Sequence, residues 1–464
     1  MSISQLTLPF SSSPAVSSLE QLESLLSQDL NFHDQDSTYA SHNFHSFPAK
    51  FPPQLPRLFI EGLTRPGDIV LDPMQGSGTT ILEALLTGRQ AIGFDIDWMA
   101  VLISRVKSTP LAPLDVMKTN QEIIRRARVT YNEKVNELTA ALDSRWNPET
   151  RRFIDYWFDP QTQLALMALI LEIEIIADPA LRHYFTLAFS SIIITKTGGV
   201  SLALDLAHTR PHRAKLVYSE SGALVEGAEY LDQPLPNIRF ATKTLRPVFA
   251  EFDKRVKANI KGILRSDKDT SPAQVAFGNA FKLPLPNQSI DLIVTSPPYA
   301  SNAIDYMRAH KFSLVWMGYP IDILSEKRGK YIGGEVISDF EFESLPAYTT
   351  QVVNEIQNLD VKKGAVLRRY YSEMSRVLRE MYRVLKPGKA SILVVGSSLM
   401  RGRDTETSLC LADIGRSLGF IVPKIGIHQL DRDRRMMPAG NKIDKSSIIQ
   451  QRMHEEYVIG FYKP

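Results

Sequence analysis

The chain predicts an α/β fold: an open, mostly parallel sheet of about seven strands, interrupted by a largely helical insertion. Three observations predict it. Short apolar strands alternate with amphipathic helices over residues 41–108. The same rhythm returns over residues 271–464. Between 109 and 270 it stops, and helical stretches follow one another.

Taken in order, residues 1–40 are rich in Ser, Gln and Asp and predict a loosely ordered leader with one short helix at 18–28. GDIVLDP predicts a strand, QGSGTT a turn, and TILEALLTG a helix that stops at Gly88. AIGFDID and WMAVLISRVK repeat the unit. In the insertion, Ile124, Ala127, Tyr131, Val135, Leu138 and Leu142 fall on one side of a single long helix. PQTQLALMALILEIEIIA and ALRHYFTLAFSSIII predict further helices, and KTGGVSLALDLAHTRPHRAK a long exposed basic loop. AQVAFGNA and SIDLIVTSPPY resume the strands. A helix over about 364–385, with Leu367, Tyr370, Tyr371, Met374, Leu378, Met381 and Leu385 spaced at three and four, ends at KPG before the strand ASILVVG. A helix at about 408–418 and the strands FIVPKIGI and EEYVIGFY complete the pattern.

At 464 residues the chain is long enough for two domains or one enlarged α/β domain. Its 44% hydrophobic and 23% charged residues suit a globular protein, and a net charge of +3 neither demands nor excludes nucleic acid. The single cysteine, Cys410, excludes an intrachain disulfide and a cysteine-built metal site, and predicts a reducing, cytoplasmic setting. No secretory signal is evident, and the apolar run LALMALILEIEIIA carries Glu172 and Glu174 and is too short for a membrane span.

VLDPMQGSGTT joins a strand to a helix, where an open α/β sheet binds nucleotide-like ligands. Gly76 and Gly78 let the backbone approach such a ligand, but neither G-x-G-x-x-G nor a G-K-[ST] follows. Asp95, ending the second strand, can accept both ribose hydroxyls, and Asp72 can meet an ammonium group. An ammonium, a ribose and no phosphate point to S-adenosylmethionine. A tight βα turn alone would also explain Asp72 and Gly76, but not the acids at both strand ends.

In TSPPY, prolines fix the backbone direction around Ser296, Pro297 and Pro298. The serine hydroxyl and the Pro297 carbonyl can then converge as two acceptors on an exocyclic amine. Tyr299 would supply an open face for a base. A proline-rich strand exit is the bland alternative.

These motifs resemble those of the amino-methylating DNA methyltransferases, which act on cytosine N4 or adenine N6. DPMQGSGTT resembles their cofactor motif and TSPPY their catalytic [S/D/N]PP[Y/F] motif. FHSFPAKFPPQLPRLFI resembles the segment that closes over the methionine moiety, and GNAFKLPLPNQSIDLIV the one facing the adenine. RVLKPGKASILVVG, RRMMPAGN and HEEYVIGFYK resemble the later part of these enzymes. The likeness covers about 44–108 and 275–464. It implies a Rossmann-like methyltransferase sheet over 41–108 and 271–464, with S-adenosylmethionine held by Phe47, Lys50, Phe51, Asp72, Pro73, Gly76, Gly78, Thr79, Asp95, Asn279 and Ala280. Ser296, Pro297, Pro298 and Tyr299 would be catalytic. Serine at 296 favours cytosine N4 over adenine N6. The cofactor half precedes the catalytic half here, the reverse of the commonest SPPY arrangement. Carbon-5 methylation is excluded, because Cys410 lies in a helix and not after a proline.

The resemblance implies double-stranded DNA as partner, allows a companion restriction nuclease, and needs neither metal nor membrane. Lys196, Thr197, Arg210 and Arg213, in the insertion, and Arg434 and Arg435 are the candidate DNA contacts; a solvated loop is the plain alternative for each. His208 and His212 lack a helix or carboxylate that would make a metal site. RNA methylation of the tRNA guanine-amino type, and a DNA-binding regulator without catalysis, stand as further readings.

Overall fold

The computed structural model describes residues 17–47, 50–193, 195, 198–204, 211–231, 241–264, 272–300, 306–335, 337–396, 398–430 and 455–464. Seven strands form the main sheet: β1 (Ile69–Asp72), β2 (Gln90–Asp95), β3 (Gln274–Phe277), β4 (Ile290–Thr295), β5 (Leu385–Gly396), β6 (Ile425–Gln429) and β7 (Glu455–Lys463). Their spatial order is β6-β7-β5-β4-β1-β2-β3, and β7 alone of the seven runs antiparallel to its neighbours. All six residues of β4 are buried, as a strand covered on both faces requires. Val70 of β1 pairs with Ala91 on one side and Leu292 on the other. The strand order reverses between β1 and β4, so a crevice opens there at the carboxyl ends of the strands.

Helices cover both faces. α1 (Ser18–Leu26), α2 (Gln54–Leu63) and α3 (Thr79–Leu86) pack on one, with Leu22, Leu25 and Leu26 buried against Ile392, Val394 and Val458. Each such leucine contributes roughly 2 kcal/mol. Residues 17–30 are therefore not a loose leader: Ser17 closes a capping box with Glu20, and α1 seals the sheet beside Gly426 and Gly460. On the other face, α14 (Val361–Val384) lays Leu367, Tyr370, Met374, Leu378 and Met381 into the core, beside α13 (Ala347–Leu359) and α15 (Thr407–Ser417). The KPG triplet does not precede a strand but lies inside β5 as an irregularity: Ile290 pairs with Leu385 and Leu292 already with Ala390. Pro387 lacks a donor and Gly388 sits at φ +72, which absorbs the extra residues.

The insertion carries α5 (Pro113–Glu133), α6 (Val135–Arg145), α7 (Pro148–Trp157), α8 (Pro160–Glu174), α9 (Pro179–Ile193) and α10 (Val248–Ile260). The expected single long helix is broken at Lys134 (φ −126, ψ 40), which turns Val135 out to solvent while Leu138 and Leu142 stay buried. These helices share one core with α4 (Trp98–Ser108) and with α11 (Tyr306–Leu314), including Met99, Ile103, Phe312 and Trp316. The described part of the expected exposed loop is largely buried. Val200, Leu202, Ala203 and Ala214 are shielded, Ala203 bridges to Arg213, and a small three-stranded sheet over 216–218, 224–226 and 242–244 follows. Apolar residues every second or third position in GGVSLALDLAH carried that signal. Among the described residues, no helix is long and apolar enough to cross a membrane.

Candidate active site

A cavity of about 640 Å³ lies over the carboxyl ends of β1, β2 and β4. It brings together ten of the eleven expected cofactor residues: Phe47, Lys50, Phe51, Asp72, Pro73, Gly76, Thr79, Asp95, Asn279 and Ala280. Gly78 stands behind the wall and begins α3 in the left-handed conformation, φ +72; a Cβ there would lie 2.9 Å from Ser104 Cα. Gly76, at φ +47, brings its backbone against Phe47. Both positions need glycine for its positive φ. The turn is braced from below by Lys107, whose Nζ donates to the Ser77 carbonyl at 2.6 Å.

Asp72 is 2% exposed and accepts the Met74 amide at 3.2 Å. Burial pushes its carboxyl up to about 6. Asp95 accepts the amides of Gly76 and Asp97, each at 2.9 Å, and burial, with Asp97 nearby, pushes it up to about 7. Neither acid forms an ion pair among the described residues. Two desolvated carboxylates without a cation, set around a glycine turn, fit a ligand carrying an ammonium and vicinal hydroxyls. S-adenosylmethionine has both.

Sequence reading missed a second layer. Asp97 caps α4 through the Met99 amide at 2.7 Å and meets His310 Nδ1 at 2.7 Å. Burial opposes its charge, but His310 and the cap outweigh it and hold the carboxyl below its usual range. Tyr306 stacks on Phe47 with ring centroids 5.0 Å apart. Asp97 was legible as an N-cap before a helix; His310 and Tyr306, on a helix far along the chain, were not. Residues Arg328 to Glu335, the stretch RGKYIGGE at the end of α12 (Ile321–Arg328), also line the cavity. Their paired glycines and basic residues were the available signal.

Ser296 and Pro298 line the same cavity, while Pro297 is buried. Tyr299 departs from expectation. It does not offer an open face: it is 8% exposed, packs in the core under α14, and donates its hydroxyl to Glu456 Oε1 at 2.7 Å. The aromatic lining of the cavity comes from Phe47, Phe51, Phe281, Tyr306 and Tyr331.

Of the candidate DNA contacts, Lys196, Thr197, Arg210, Arg434 and Arg435 lie outside the described residues, as does His208. Arg213 is turned inward: it donates to Glu226 and to the Tyr156 carbonyl, both at 2.7 Å, and covers the Tyr156 ring. Its guanidinium is occupied by the insertion's own fold. No cluster of metal-ligating side chains occurs among the described residues. Cys410 is buried in α15, and burial pushes its thiol up to about 12, which makes it no nucleophile.

Fold and site together define an S-adenosylmethionine-dependent methyltransferase. A family model described as DNA methylase matches residues 24–105. The chain is 25% identical to the type II methyltransferase M.MvaI of Kocuria varians, over 90% of this chain and 89% of that one. It is 24% identical to the type II methyltransferase M.BsoBI of Geobacillus stearothermophilus, over 83% and 79%. A tRNA (guanine(10)-N2)-dimethyltransferase of Methanocaldococcus jannaschii is 31% identical, over 24% of this chain and 30% of that one. These likenesses support placing the chain with the amino-methylating DNA methyltransferases, which act on cytosine N4 or adenine N6.

Proposed function

We propose that the protein is a site-specific DNA methyltransferase acting on cytosine N4. The observation that carries this reading is one cavity lined both by the acids Asp72 and Asp95 and by Ser296 and Pro298 of the serine–proline turn. S-adenosylmethionine supplies the methyl group. Asp72 would hold its ammonium and Asp95 its ribose, with Asn279, Ala280, Phe47, Lys50 and Phe51 enclosing it.

A base inside a duplex cannot present its amine to this cavity, so it must be flipped out. The Ser296 hydroxyl and the Pro297 carbonyl then accept from the amine's two hydrogens and orient its lone pair. Placement of the two reactants supplies much of the acceleration, and acceptors preset for developing positive charge supply more. Serine at 296, where adenine-modifying relatives carry Asp or Asn, supports cytosine.

The test is expression in a host without DNA methylation, followed by sequencing of its genome for modified bases. N4-methylcytosine at one short motif, absent with Ser296→Ala, is the expected result. N6-methyladenine would overturn the base assignment. Unmodified DNA would overturn the reading and move the search to RNA, as the partial likeness to a tRNA methylase suggests.

A further inference from the structure

Beyond residue 300, the described lining of the cavity holds the cations Arg308, Arg328, Lys330 and Lys363 and one carboxylate, Glu335. Lys330 lines the cavity although its side chain is 61% exposed, which puts it at the open rim; Asp72 is 2% exposed. Lys330 meets Glu326 at 2.9 Å and Lys363 meets Glu335 at 2.9 Å, but both carboxylates are exposed. Pairs that open contribute little and yield readily to another anion.

The backbone carrying this rim is fixed by a buried ion pair. On α14, Arg369 Nε donates to Glu373 Oε1 at 2.9 Å, and both side chains are shielded. Arg369 Nη2 also donates to the Gly329 carbonyl at 3.2 Å, and Glu373 Oε2 accepts the Gly333 amide at 2.9 Å. Lys330, Tyr331 and Ile332 lie between these two anchors, and all three line the cavity. Burying two charges is costly, and a solvated loop has no need of such an anchor. A binding site does, because cations held on a fixed backbone lose less freedom when the ligand arrives.

We propose that Arg328, Lys330 and Lys363 form a phosphate-binding rim that takes the backbone of duplex DNA beside the flipped base. The inference rests on the DNA-methylation reading of this cavity and deepens it by naming residues that hold the strand. Cations at the end of α12, in the turn after it and in the first turn of α14 suit a ligand that offers one charge after another. A nucleic-acid strand does so, whereas a lone carboxylate does not. Basic residues ending α12 would also complement its dipole, but Lys330 and Lys363 lie beyond that helix. Phosphate contacts of this kind set the register of the strand and carry no base selection.

Arg328→Gln, Lys330→Gln and Lys363→Gln, singly and together, would be compared with the native protein in anisotropy titrations of duplex DNA over about 50–200 mM salt. Each single variant should lower the slope of log affinity against log salt by about 1, and the triple variant by about 3. The loss should be equal for duplexes of unrelated sequence. Donor affinity should stay within about twofold of native. Arg126→Gln, which removes an exposed cation of α5, is the control and should leave the slope unchanged.

A native salt slope in the triple variant would overturn the inference. So would a loss of donor affinity beyond about threefold, which would assign these cations to the donor. If the triple variant fails to fold, Lys330→Gln decides alone. Lowered slopes in a protein that methylates no DNA would fail the reading of function and leave the rim standing. A native protein that binds no duplex would overturn both.

Discussion

At the proposed donor end of the cavity, Asp72, Gly76, Asp95 and Asp97 all come from residues 72–97, and the amides of Gly76 and Asp97 donate to Asp95. Beside the Ser296 turn, the proposed target end, Tyr299 is held by Glu456, a residue 157 positions further along the chain. The donor end is two consecutive strand–turn–helix units, so its geometry follows from local backbone rules. Tyr299 meets that partner because the antiparallel strand β7 returns to the sheet's carboxyl edge. Local construction tolerates little change of backbone, and distant construction tolerates little change of partner.

The largest expected effect breaks the target end alone. Ser296→Ala should cost about 10²–10³-fold in single-turnover methyl transfer, as loss of one preset polar group does. Donor binding, measured by titration calorimetry, should stay within about twofold. A comparable loss of donor affinity would show that the two ends are not separable.

Gly78→Ala breaks the donor end by its backbone. With φ at +72 and Ser104 in the way, the substitution should destabilise the protein by about 1–3 kcal/mol in urea unfolding. It should also weaken donor binding by about tenfold, because the turn and its amides shift. Normal unfolding and normal donor affinity together would mean that this turn has slack.

pH sharpens the comparison at the acids. The folded carboxyls of Asp72 and Asp95 sit near 6 and 7, above the unfolded value of 3.8. A raised carboxyl stabilises the fold fully below pH 3.8 and loses that contribution as pH rises through 6 to 7. Asp95→Asn should therefore flatten part of this slope and leave the donor-free protein more stable than native at pH 8, while binding donor far less well. In the native protein, donor affinity should fall on acidification below about pH 6, as the acids gain protons. Thermal unfolding and donor titration across pH check both.

The smallest effects lie outside both ends. Arg213→Ala should lower stability by about 1 kcal/mol through the lost Glu226 and Tyr156 contacts, with DNA affinity unchanged in a gel-shift titration. A marked loss of DNA affinity would restore it as a contact. Cys410→Ala should leave methyl transfer within about twofold of native.

Most of the donor end was legible before any coordinates. DPMQGSGTT and DID carry their meaning in spacing, because a strand, a tight turn and a helix fix where acids and amides fall. The sheet was legible for the same reason: runs such as LIVT and ILVV are apolar on both faces. Periodicity also found most helices, though it ran α5 and α6 together, since the break at Lys134 bears neither Gly nor Pro. What sequence misjudged was surroundings. The leader's three leucines looked too sparse for a core until β5 and β7 supplied the other half of it.

By itself, then, the sequence determined the α/β class, the donor turn with its acids at both strand ends, and the serine–proline turn, all features whose cause lies within a few residues. Tertiary structure decided that Tyr299 faces Glu456, that His310 meets Asp97, that Arg213 is consumed within the insertion, and that RGKYIGGE walls the cavity. The physical reason is range. Backbone propensity acts over one turn or one strand, whereas desolvation and hydrogen-bond pairing depend on what long-range folding brings alongside.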